Sequence, residues 1–114
     1  MRVFYKFPMN NDCVFCKIIA GQIPTGIEYE DEFCISFHDI NPRAKVHLLV
    51  IPKKHIPTMN DLVEDDEKIL GRMMNVASKI AKKFKMLSYR LLISVGKEAG
   101  QEVFHIHLHV MSPR

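Results

Sequence analysis

Near its C-terminus the chain reads His105-Ile106-His107-Leu108-His109-Val110, a strict alternation of imidazole and aliphatic side chains. Residues two apart on a strand share a face, so the pattern predicts a strand with Ile106, Leu108 and Val110 packed into a core. The opposite face then carries three imidazoles in steps of roughly 6.5–7 Å. Merely solvated positions on such a strand would be served equally well by lysine, threonine or glutamate. Three histidines on one row point instead to chemistry. They can ligate a metal, or supply a nucleophile with its acid–base partners, because imidazole titrates near pH 6.5.

The rest of the chain predicts an α+β domain around that strand. Its 114 residues suffice for one domain with a core that needs no disulfide. Residues 13–20 read as a short helix closed by Gly21. Residues 27–30 and 33–37, rich in β-branched and aromatic side chains, read as a hairpin broken at Asp31-Glu32, and residues 46–51 as a strand ended by Pro52. From 61 to 84 apolar residues recur in steps of three, four and seven, the stripe of one long amphipathic helix. Acidic residues gather at its start and lysines at its end, where each suits the helix dipole. Residues 89–95 and 103–111 complete five strands, giving an antiparallel sheet with helical cover.

Composition removes several function classes. A net charge of +3 from sixteen basic and thirteen acidic residues gives no nucleic-acid surface. No apolar run reaches the roughly 18 residues of a membrane span. The N-terminus lacks a continuous apolar core of the secretory kind, and three cysteines with one C-x-x-C pair make a poor disulfide framework. A cytoplasmic protein is expected, with Cys13 and Cys16 as metal ligands or a redox pair and Cys34 as a buried small apolar residue. Residues 1–11 are expected to form a loose N-terminal extension, with Met9 an alternative start, and 12–114 the domain. The loop Glu98-Ala99-Gly100-Gln101-Glu102 runs into the histidine strand, and its glycine lets backbone N–H groups approach an anion.

The run from Gly100 to Met111 resembles the signature of the histidine-triad (HIT) family, His-φ-His-φ-His-φ-φ with φ apolar. The segments Cys13-Val14-Phe15-Cys16-Lys17-Ile18-Ile19, Phe37-His38-Asp39-Ile40-Asn41-Pro42 and His47-Leu48-Leu49-Val50-Ile51-Pro52-Lys53-Lys54-His55-Ile56 resemble its beginning and middle. The likeness is strongest to the Hint-like branch, the purine nucleoside phosphoramidases. It implies a HIT-like fold, with two subunits joined as a homodimer in one continuous sheet. It also implies His107 as a nucleophile that attacks the α-phosphorus of a purine nucleotide derivative. His109 would assist on the phosphate side, and His105 and His47 would orient the nucleophile from behind.

The resemblance further implies a nucleoside pocket of Phe15, Ile18, Phe37, His38, Asp39, Ile40 and Leu49, with Asp39 accepting from the ribose. Phosphate contacts would come from Ser94, Gly100, Gln101 and Glu102, the Gln101 side chain among them. A structural zinc would be held by Cys13, Cys16, His47 and His105, and His55 would be structural. Ser94 stands where the family usually has an asparagine. The chain stops three residues after Met111, where the branch usually continues in a tail that shapes amine selectivity, which implies a more open leaving-group site. The alternatives within these readings are a dinucleoside polyphosphate hydrolase and a non-enzymatic, zinc-stabilised nucleotide-binding module.

Overall fold

The computed structural model describes residues 9–114. Most of the expected extension, residues 1–8, lies outside the described residues. In chain order the elements are α1 (Val14–Ile19), β1 (Ile27–Glu30), β2 (Cys34–His38), β3 (His47–Pro52), α2 (Glu67–Lys83), β4 (Arg90–Leu92) and β5 (Leu108–Met111). The strands form one sheet in the order β1-β2-β3-β5-β4, every neighbouring pair antiparallel. The expected α+β architecture is therefore observed.

Alternation assigns each strand residue to one of two cores. Leu48, Val50, Leu108 and Val110 face α2 and pack against Ile69, Met73, Val76, Ala77 and Ile80. Ile35, Phe37, Leu49 and Ile51 face the other way and pack beneath α1, against Phe15, Cys16, Ile18 and Ile19. The imidazoles of β3 and β5 fall on this second face, so α1 is the element that walls the site.

The long helix is shorter than its apolar stripe. A 3₁₀ turn at Met59–Asp61 is capped by Thr58, whose hydroxyl accepts the Asn60 N–H while the Asp61 carboxylate accepts the Thr58 N–H. Leu62 and Val63 are then extended, and a second 3₁₀ turn, Glu64–Asp66, leads into α2. Local capping has outcompeted helix propagation over the first turns. The strand expected over 103–111 is likewise regular only from Leu108. Before it the Ile106 N–H donates to the Ile56 carbonyl at 2.8 Å, outside any ladder.

Candidate active site and metal cluster

His107 is 8 % exposed, and its position fixes its chemistry. Its Nδ1 lies 2.8 Å from the carbonyl oxygen of His105. A carbonyl only accepts, so Nδ1 carries the proton and Nε2 keeps its lone pair. The Phe15 ring stands edge-on at 5.1 Å between centroids, and His109 follows at 5.0 Å. Burial holds His107 below the ordinary imidazole range, keeping it neutral and nucleophilic.

A second chain of hydrogen bonds sets the neighbours. The Arg43 N–H donates to His47 Nδ1 at 3.0 Å. His47 Nε2 therefore bears a proton, which it donates to His109 Nδ1 at 2.8 Å. His109 is left with an N–H at Nε2. The Asp39 carboxylate lies 3.3 Å from His47 Nε2 and 3.9 Å from His109 Nδ1, held by the Asn41 N–H at 2.9 Å. Asp39, His47 and His109 are near enough to hold an ion together. The backbone donor on His47 Nδ1 argues for a relay instead, because it keeps a proton on the ring nitrogen that faces the other two. Burial, followed by the fields of His107, His47 and Arg43, pushes His109 down to about 4.

The two expected roles from behind are corrected in detail. His47 orients His109 rather than the nucleophile, and His105 acts on His107 through its backbone carbonyl rather than its ring. That ring belongs to another cluster. His105 Nε2 donates to the Pro52 carbonyl at 2.8 Å, which leaves Nδ1 with its lone pair facing Cys13 Sγ at 3.4 Å and Cys16 Sγ at 3.6 Å. His55 Nδ1 lies 3.3 Å from Cys16 Sγ and 3.2 Å from His105 Nδ1.

A tetrahedral ion with ordinary thiolate and imidazole bonds has edges of about 3.5 Å between S and N and about 3.3 Å between N and N. The cluster Cys13, Cys16, His55 and His105 could hold such a metal. The separations of 3.3, 3.4 and 3.6 Å between sulfur and nitrogen and of 3.2 Å between the two nitrogens fit those edges. His47 is thus not in this set, and His55 is. The cause is register: β3 and β5 pair as His47↔Met111 and Val50↔Leu108, so His47 lies at the far end of β3 from His105. His55, just past Pro52, is the imidazole within reach.

The expected pocket residues divide in the same way. Phe15 and Ile18 of α1 are buried together with Phe37 and Leu49, Phe15 packs on His107, and Asp39 just past β2 meets His47 and His109. Ile40 is 90 % exposed beyond Asp39. His38 is not in the pocket: the alternation of β2 turns it to the other face, 5.3 Å from the Phe84 ring and 3.4 Å from Glu28.

Gln101 is also corrected, because none of its donors is free. Its side chain accepts the Gly96 N–H and donates to the carbonyls of Pro57 and Val103, at 2.9, 2.7 and 3.0 Å. Its N–H donates to the Gly96 carbonyl and that of Gly100 to Lys97, closing a 3₁₀ turn that ends on Gly100 at φ +98°. The Glu102 N–H has no partner among the described residues. Ser94 is half-buried, its hydroxyl beside Gly100. Sequence reasoning missed Arg43, whose side chain reaches His109 at 3.4 Å. It is an arginine in a surface loop, and no pattern singles it out.

This fold, with its row of imidazoles under a short helix, is that of a histidine-triad protein. A family model described as scavenger mRNA decapping enzyme C-term binding matches residues 12–114. A purine nucleoside phosphoramidase of Escherichia coli K12 is 43 % identical over 108 residues, spanning 93 % of this chain and 91 % of that protein. A HIT family hydrolase from Clostridium thermocellum superposes with a TM-score of 0.90 at 42 % identity, covering 93 % of this chain and 94 % of that one. One from Legionella pneumophila gives 0.86 at 45 % identity, covering 90 % and 93 %. The chain belongs to the histidine-triad (HIT) family of hydrolases.

Proposed function

We propose that the protein cleaves the P–N bond of purine nucleoside 5′-phosphoramidates, with His107 as nucleophile. The observation that carries this reading is the His107 tautomer: Nδ1 is committed to a carbonyl, so Nε2 faces the site with a free lone pair. That nitrogen attacks the α-phosphorus. The bond to the amine breaks, its electron pair leaves with the nitrogen, and the amine takes a proton from water. The product is a nucleotidyl-histidine whose ring is cationic, and the His105 carbonyl stabilises the proton that remains on Nδ1. The hydroxide left by that proton transfer then attacks phosphorus, the bond to His107 Nε2 breaks with its electron pair returning to the ring, and the nucleoside monophosphate and neutral His107 are released. His109 donates its Nε2–H to a nonbridging oxygen, held in that tautomer by His47.

The base lies among Phe15, Ile18, Phe37 and Leu49, and Asp39 accepts from the ribose. Ser94 and the Glu102 N–H face the phosphate. Cys13, Cys16, His55 and His105 would hold a zinc ion whose part would be structural, tying the start of α1 to the segment that carries the nucleophile. Two copies pair through the β4 edge, where Leu91 and Leu92 are 38 % and 41 % exposed. No described helix is long and apolar enough to cross a membrane, and a reducing compartment suits the thiols.

A panel setting adenosine 5′-phosphoramidate against a diadenosine polyphosphate tests the reaction. Faster release of AMP from the phosphoramidate is expected. Preference for the polyphosphate would transfer the same nucleophile to P–O chemistry, and turnover of neither would leave a binding module. Elution at twice the monomer mass is expected in size-exclusion chromatography.

A further inference from the structure

Arg43 lies in the loop between β2 and β3 and meets the site twice. Its backbone N–H donates to His47 Nδ1, a contact that any side chain would preserve. Its guanidinium Nη2 stands 3.4 Å from His109 Nδ1, and there it adds little. That lone pair already accepts the His47 Nε2–H at 2.8 Å. No carboxylate forms an ion pair with Arg43 among the described residues. Its charge nonetheless reaches His47, His107 and His109, adding to burial in keeping all three neutral.

A guanidinium beside neutral imidazoles, without a counter-ion, is half of an ion pair. Its planar fork matches a phosphate better than any other side chain does. The other phosphate-side donors are sparse, because the Gln101 amide is fully engaged and Ser94 offers one short hydroxyl. Arg43 is exposed, so its side chain can cross from the Nδ1 edge of His109 to the Nε2 edge without disturbing the core.

Building on the nucleotide reading of the site, we infer that the Arg43 guanidinium binds the nonbridging oxygens of the substrate's 5′-phosphate beside His109. It is a specificity residue for the phosphate, distinct from the pocket that takes the nucleoside.

Calorimetric titration of the full chain with AMP and with adenosine separates the two. The wild type binds both. Arg43→Ala loses AMP affinity by roughly ten- to a hundredfold, the value of a charge-assisted pair, and keeps its adenosine affinity. Arg43→Lys falls between, because a point charge replaces the fork. Added salt weakens AMP binding more in the wild type than in Arg43→Ala. Equal AMP affinity in the wild type and Arg43→Ala overturns the inference, and so does a parallel loss of both ligands in a variant with an unchanged melting temperature. A wild type that binds neither ligand overturns the nucleotide reading itself and this inference with it.

Discussion

The carbonyl oxygen of His105 accepts the Nδ1–H of His107 at 2.8 Å, while the His105 ring turns away to Cys13, Cys16 and His55. One residue therefore serves two centres with different atoms. Its backbone sets the tautomer of the candidate nucleophile, and its side chain anchors the metal cluster. Phe15, two residues after Cys13, packs on both rings, at 5.8 Å from His105 and 5.1 Å from His107.

The cluster makes a prediction about metal. Burial pushes the Cys13 thiol up to about 11, opposed in part by the Cys16 N–H that donates to it at 3.4 Å, so without a cation it stays protonated at neutral pH. A bound zinc would deprotonate it and tie α1 to His105. Elemental analysis of protein purified without chelators is expected to give one zinc per chain. Cys16→Ser is expected to abolish that stoichiometry and lower Tm by more than about 5 °C. A metal-free wild type with the same Tm as Cys16→Ser would refute the site.

Stability should fall in acid through His109. The groups that face it are His47, Asp39, Arg43 and His107, and its value of about 4 lies below the ordinary 6.5. Between those values the unfolded chain binds a proton that the folded chain refuses. The stabilisation is complete above pH 6.5 and drains away as pH falls toward 4. Urea denaturation at pH 7.5, 5.5 and 4.5 should show this decline, and His109→Gln should make it shallower without abolishing it, because burial holds His105 down to about 4 as well. Because burial also lowers His107, the acid limb of the rate profile is expected below pH 6.5.

Asp66 is a structural carboxylate with a measurable role. It is 1 % exposed, accepts the Val63 N–H at 3.1 Å and pairs with the Lys54 ammonium, joining the entry of α2 to the segment after β3. Asp66→Ala leaves both donors without it. The expected cost is about 2–4 kcal/mol in chemical denaturation. A cost below about 0.5 kcal/mol would show that water replaces the carboxylate.

Asp39 separates binding from chemistry. Its Oδ2 approaches His47 and His109 only at 3.3 and 3.9 Å. Asp39→Asn keeps the shape and removes the charge that would accept from a ribose. KM for the phosphoramidate is expected to rise about tenfold or more, with kcat less affected. A fall confined to kcat would place Asp39 in the proton relay instead.

Much of this was legible in the residues, and the failures have physical causes. Alternation revealed the strands and their two faces because sheet geometry leaves a period of two no freedom. The apolar stripe revealed α2, but Thr58 and Asp61 cap a local turn that periodicity does not register. The metal set went wrong at His47 because ligand identity depends on strand register, which no single strand encodes. The family resemblance places His38 in the pocket with Phe37, whereas adjacent strand residues face opposite ways and β2 turns His38 to the other face. Gln101 was expected to donate to phosphate, and a buried amide surrounded by backbone groups is used up by them.

The most direct test of the central claim is mass spectrometry of the protein quenched during turnover of adenosine 5′-phosphoramidate. The mechanism predicts an adenylyl adduct on His107, absent in His107→Ala, which stays folded but releases no AMP. Unchanged AMP release by His107→Ala, or an adduct on another residue, would contradict it.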